Sequence, residues 1–209
     1  MVYSGTGCEI YLVFPPEISH KTAVQFAESG SLGNIACALL QSRRDGTVDR
    51  THGEMLLRFA HAANIPLLLE NDISAAAELG ADGVHIPADE DLYTKARNAL
   101  GDDAIVGVDC GLSRHAGLTL GEMGADYVAF SGAPGQPQCA RNAGLVEIIR
   151  WWSQTVIVPC VAWDTSSGDA ARRLAGSGAD FVAMGAPIWS HPEGPATATA
   201  ELSAQLTDR

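Results

Sequence analysis

"GADGVHI", residues 80–86, returns as "GADYVAF" at 124–130 and as "GADFVAM" at 178–184. Each copy follows a stretch with helical spacing and leads into a short apolar run. Glycine enters the left-handed conformation that ends a helix without a Cβ penalty, so Gly80, Gly124 and Gly178 read as helix stops and the runs after them as strands. Asp82, Asp126 and Asp180 then lie at turns into strands, where stabilising the turn is the expected role.

Working outward from these copies, apolar runs of strand length occur at 9–16, 35–42, 65–72, 83–89, 104–110, 127–133, 156–163 and 181–187. Helical stretches separate them, with N-cap signals at Ser19, at Asp49, and at Ser166 or Ser167. Continuous runs rich in β-branched residues and alternating with helices indicate strands buried on both faces, hence a parallel sheet. Eight such units predict an α/β fold: one closed (β/α)8 TIM barrel, a single domain over 1–209. A doubly wound open sheet is the architectural alternative, but no GxGxxG follows the first strand. In a barrel the chemistry gathers at the C-terminal strand ends, which puts the three aspartates on the opposite face.

Bulk properties narrow the partners. The formal charge is −12, with only Lys21 and Lys95 as lysines among thirteen basic residues. Such a surface repels nucleic acid and anionic lipid, which argues for a small-molecule partner and leaves homo-oligomerisation open. No apolar run reaches the ~20 residues of a membrane span, and "MVYSGTGCEIYLVF" has no basic leader, so a cytoplasmic location is expected. The five cysteines are dispersed, and Cys37, Cys110 and Cys160 fall inside apolar runs, as buried reduced thiols do.

The residues after each strand form the expected rim, and carboxylates dominate it. Here "IPLLLENDISAAAELGADGVHIPADEDL" (65–92) resembles the thiamine phosphate synthases and their TenI-type relatives, in which a strand ends in Asn-Asp and a later one reads Val-His-Leu before Gly-Gln-Glu-Asp. The likeness continues through "IVGVDC" (105–110), "GADYVAF" and "GADFVAMGAPIW", over roughly residues 35–190. It implies a small barrel that joins a pyrimidine methyl diphosphate to a thiazole phosphate with magnesium, or isomerises the thiazole. On this resemblance Asp72 with Glu90 or Asp91 would hold the metal. Gln41, Arg43, Asn71, Gln136, Gln138, Trp163, Gly185 and Ala186 would bind a small phosphorylated substrate, with Arg43 and Asp109 as the catalytic candidates.

The pattern is incomplete. Where the family sets lysine after strand two stands Asp45, its serine after strand five is Asp109, and its Thr-x-Thr-Lys aligns with Gln136, Pro137, Gln138 and Cys139. Ala162 and Trp163 replace a Gly-Gly pair. A magnesium diphosphate needs hard oxygen ligands for the metal and cations or donors for its remaining charge. Two like charges ~5 Å apart repel by roughly 3 kcal/mol at an effective dielectric near 20, so Asp45 and Asp109 oppose the anion. Arg43, Arg44 and Arg141 offset this in part, and backbone amides at Gly185 and Ala186 suit one phosphate. These departures predict a synthase with weak or altered activity; the alternative is a non-catalytic or TenI-type barrel that binds a phosphorylated heteroaromatic ligand. His52 and His115 are the histidines expected near the rim for a proton shuttle.

Several of these residues also have an ordinary structural role. Asp72 precedes "ISAAAELG" and suits a helix cap. His85 lies inside a strand, as a hydrogen-bonded core histidine does. Trp163 either stacks on a ligand or fills the barrel mouth, and the pair at 151–152 is expected to pack.

Overall fold

The Gly-Ala-Asp turns build one end of the molecule. In the computed structural model, which describes residues 7–17, 19, 20, 24, 34–132, 138–163 and 166–207, Gly80, Gly124 and Gly178 have φ of 68°, 98° and 105°. Each aspartate then engages the first residues of the preceding strand in both directions. Asp82 Oδ2 accepts from Leu67 N at 2.7 Å, Asp126 Oδ2 from Val106 N at 2.8 Å and Asp180 Oδ2 from Cys160 N at 2.8 Å. The amides of Asp82, Asp126 and Asp180 donate back to the carbonyls of the same three residues. The motif thus ties the N-terminal end of one strand to the next.

Eight parallel strands follow in chain order: β1 (Glu9–Phe14), β2 (Ile35–Leu40), β3 (Leu67–Glu70), β4 (Gly83–Pro87), β5 (Ile105–Asp109), β6 (Tyr127–Phe130), β7 (Cys160–Ala162) and β8 (Phe181–Met184). β1 pairs with β8, so the sheet closes into the expected (β/α)8 barrel. The helices described are α1 (Arg50–Ala62), α2 (Ile73–Leu79), α3 (Glu90–Leu100), α4 (Arg114–Glu122), α5 (Gln138–Thr155), α6 (Gly168–Gly176), α7 (Ala186–Trp189) and α8 (Pro195–Thr207). Asp49 and Ser167 cap α1 and α6 as expected, by accepting from His52 N and Ala170 N. The helix expected after Ser19 falls largely outside the described residues, as does Gln136.

The alternation of side chains along each strand divides the core in two. Ile10, Leu12, Leu67, Leu69, Val106, Val108, Val128 and Phe130 face outward to the helices. Tyr11, Val13, Cys37, Leu39, Leu68, Tyr127, Ala129 and Val161 fill the interior. Gly107 makes room there: a Cβ at this position would lie 1.8 Å from the Tyr127 ring.

β7 is shorter than the run 156–163 suggests. Val156 still belongs to the end of α5 through its bond to Trp152 O, Ile157 is fully exposed, and Pro159 has no amide to enter the ladder. Trp152 is fully buried and donates from Nε1 to Val158 O at 2.7 Å, so this half of the tryptophan pair packs. Cys8, Cys37, Cys110 and Cys160 are buried free thiols. Among the described residues no helix is long and apolar enough to cross a membrane.

Candidate functional site at the barrel mouth

The interior alternation continues beyond the hydrophobic layers and places polar side chains at the C-terminal mouth. His85 lies between the outward-facing Val84 and Ile86, so it points inward, and it is buried. Its Nδ1 is 2.9 Å from Tyr127 Oη, which in turn lies 2.7 Å from Tyr11 Oη. Burial pushes the His85 imidazole down to about 4, although the Asp109 carboxylate pulls the other way. His85 is therefore neutral near pH 7 and serves the core role expected of it. Trp163, two residues after the inward Val161, stacks on His85 with centroids 4.6 Å apart and planes 3° from parallel.

Beside Trp163 opens a cavity of about 720 Å³. Gln41, Trp163, Gly185 and Ala186, predicted from sequence as binding residues, line it together. Ser166, Ser167, Ser190 and His191 complete its polar surface, and its described lining contains no carboxylate, lysine or arginine. Trp189 Nε1 donates to Val13 O at 2.6 Å and fixes α7 over β1, which holds one wall in place. The cavity thus combines an aromatic wall at Trp163 with the hydroxyls of Ser166, Ser167 and Ser190.

The other predicted residues lie elsewhere. Asp72 caps α2: Oδ1 accepts from Ala75 N at 2.9 Å, while Oδ2 accepts from Val48 N at 3.0 Å and Arg50 Nη1 at 2.7 Å. Burial opposes its ionisation, but the two amides and the guanidinium outweigh that and hold the carboxyl below the ordinary value. Glu90 and Asp91 are exposed in the first turn of α3, behind the cap Asp89, and border a separate groove of about 410 Å³ with His115. Among the described residues no three His, Cys, Asp or Glu side chains are grouped to hold a metal ion. With Oδ1 engaged by one amide and Oδ2 by another amide and a guanidinium, the Asp72 carboxylate in this arrangement does not fit a magnesium ligand.

Arg43 is paired with Asp49 at 2.6 Å instead of facing the cavity. Asn71 is exposed with φ 61°, a left-handed conformation that asparagine tolerates. Asp109 ends β5 half-buried, with Oδ1 accepting from Gly111 N and Ser131 Oγ at 3.0 Å each. His52 is held beside Asp49. Of Gln138 only the backbone is described, at the start of α5.

Sequence reasoning missed Tyr11, Tyr127, Ser190 and His191, and it missed Glu70, which accepts from the Ser42 amide and hydroxyl at 2.9 and 3.1 Å. The inward parity of Tyr11, Tyr127 and Glu70 was a usable signal. Nothing in "WSHPEG" announces that His191 reaches the cavity.

Fold and site together define a (β/α)8 barrel with a cavity at its C-terminal mouth. A family profile described as thiamine monophosphate synthase matches residues 10–188. The thiamine-phosphate synthase of Rhodospirillum centenum is 36% identical over 202 residues, 95% of this chain and 97% of that protein. That of Hyphomonas neptunium is 33% identical over 205 residues, covering 93% and 92%. Among solved structures, thiamine phosphate pyrophosphorylase from Pyrococcus furiosus matches with a TM-score of 0.72 at 19% identity, covering 96% of each chain, a likeness of fold. The chain belongs to the thiamine monophosphate synthase family.

Proposed function

We propose that this barrel binds a phosphorylated thiazole in the 720 Å³ cavity and is a thiamine phosphate synthase with weak turnover. The observation that carries the reading is the convergence of Gln41, Trp163, Gly185 and Ala186 on one cavity whose described lining has no acidic residue. The thiazole ring lies against Trp163, and the phosphate meets the hydroxyls of Ser166 and Ser167 and the backbone at Gly185 and Ala186. Full-length similarity to thiamine-phosphate synthases supports the substrate class and the transfer reaction. In that family magnesium assists release of pyrophosphate. Because Asp72 is committed to Arg50 and two amides, no step is assigned to the ion, and this corner is where the weak turnover originates.

Calorimetry with thiazole phosphate tests the binding half, with micromolar affinity expected. Absence of binding at millimolar ligand would refute the reading. Turnover is measured separately, as thiamine phosphate formed from both substrates with magnesium, against the Rhodospirillum centenum protein. A rate ~100-fold lower is expected, and a complete lack of turnover together with tight thiazole phosphate binding selects the non-catalytic barrel.

A further inference from the structure

We infer that Glu70 is a positioning residue for the cavity: from the end of β3 it reaches across to the loop after β2 and, by holding Ser42, fixes how Gln41 meets the ligand. This rests on the reading of the cavity as a ligand site.

Gln41 is pinned on both sides. Its own amide donates to Phe14 O at 3.0 Å, which carries the β1–β2 ladder one residue beyond β2. The next residue leaves the ladder, and there Glu70 Oε2 accepts from Ser42 N at 2.9 Å and from Ser42 Oγ at 3.1 Å. Hydrogen bonds accepted by a carboxylate are among the strong ones, and this oxygen takes both donors of Ser42 at once. With the peptide units on either side of its Cα held, Gln41 keeps freedom only in its own side chain, whose amide offers the cavity a donor and an acceptor.

The end of β3 is shaped for this reach. Leu68 faces the interior, so Glu70, two residues on, leaves the same face of the strand. Asn71 then turns the chain with φ 61°. The two carboxylates that flank Asn71 serve the two ends of one loop, Glu70 at Ser42 and Asp72 at Val48 N, 3.0 Å away. Between them Arg43 N donates to Thr47 O at 2.8 Å and closes the loop on itself. Asp72 acts at the far end, against α1, whereas Glu70 acts on the residue next to Gln41. Committed to Ser42, the Glu70 carboxylate also stays out of the described cavity lining, where it would oppose an anion.

A double-mutant cycle read by calorimetry with thiazole phosphate tests this, using the parent, Gln41→Ala, Glu70→Ala and the double variant. Glu70→Ala is expected to weaken binding about tenfold, and the double variant to bind as Gln41→Ala does, because the carboxylate acts through Gln41. Glu70→Gln keeps a carbonyl oxygen for both Ser42 donors and is expected to stay within about threefold of the parent. If Glu70→Ala does not fold, Ser42→Ala replaces it in the cycle, with a loss of about threefold and the same non-additivity expected. Losses that multiply in the double variant, as a general structural role would produce, or a Glu70→Ala variant that binds as the parent does, overturn the inference. A parent that does not bind thiazole phosphate removes the proposed substrate instead. Hydrogen exchange at the Gln41 and Ser42 amides without ligand then decides: protection lost in Glu70→Ala and kept in Glu70→Gln sustains the positioning role, and equal protection in all three proteins overturns it.

Discussion

Arg50 Nη1 donates to Asp72 Oδ2 at 2.7 Å, and Arg50 Nε holds Glu78 at 2.9 Å, so one guanidinium ties the start of α1 to both ends of α2. With Asp72 also capping α2 and accepting from Val48 N, the carboxylate acts as a joint between the loop after β2 and the helix after β3.

Asp72→Ala is therefore expected to lower stability by roughly 2 kcal/mol in urea unfolding, since it removes a cap, strands the Val48 amide and takes one acceptor from Arg50. Millimolar magnesium should shift the melting temperature of the variant and the parent equally. A magnesium response present in the parent and lost in the variant would restore Asp72 as a metal ligand.

How far the sequence carried depended on whether a feature was periodic or three-dimensional. Eight runs, their order and the bottom placement of Asp82, Asp126 and Asp180 follow from periodicity and helix-stop glycines, which act locally. Gln41, Trp163, Gly185 and Ala186, which line one cavity, follow strands directly, so strand ends locate them. Asp72 and Arg43 follow strands too, yet their partners Arg50 and Asp49 come from α1 and its cap, and competition for a carboxylate or guanidinium across loops has no local signature. The column of Tyr11, Tyr127 and His85 needed the barrel register, which pairs strands far apart in the chain.

The buried His85 gives the fold an acid-sensitive window. Its folded value of about 4 lies below the ordinary 6.5, so the unfolded chain binds a proton first. Its contribution is fully present above pH ~6.5 and is lost as the pH falls towards ~4. Over that window the loss is roughly 3 kcal/mol. Urea unfolding as a function of pH should show this slope, and His85→Phe should flatten it while Tyr11 and Tyr127 still pair with each other. An unchanged slope in the variant would assign the window to other groups.

At the opposite face, Asp126 accepts from Val106 N at 2.8 Å and from Arg97 Nη2 at 2.8 Å. Asp126→Ala leaves a strand amide and a guanidinium without this acceptor, and a cost of about 2–3 kcal/mol is expected. Affinity for thiazole phosphate should not change, because the cavity lies at the other end of the strands. A variant that loses ligand affinity in proportion to stability would show that the two ends are coupled.

Asp109 should behave in the reverse way. It ends β5 at the mouth, half-buried, and opposes any anion that approaches, whereas Asp45 is fully exposed and spends its carboxylate on the Thr47 amide and hydroxyl at 3.0 and 2.7 Å. Solvent screens Asp45, so Asp45→Lys is expected to change pyrophosphate affinity by less than about twofold. Removing the charge at Asp109 is worth about 1 kcal/mol if the anion sits within ~10 Å at an intermediate dielectric, or roughly fivefold in affinity. Asp109→Ser keeps a hydroxyl beside Ser131 and is expected to tighten pyrophosphate and thiazole phosphate by that factor, with a stability change under about 1 kcal/mol. Titrating the parent and the two variants with both anions at low and high salt decides it, since an electrostatic gain must shrink as salt rises. A gain from Asp45→Lys that equals the gain from Asp109→Ser would mean that the anion rests over the loop after β2 and not at the end of β5.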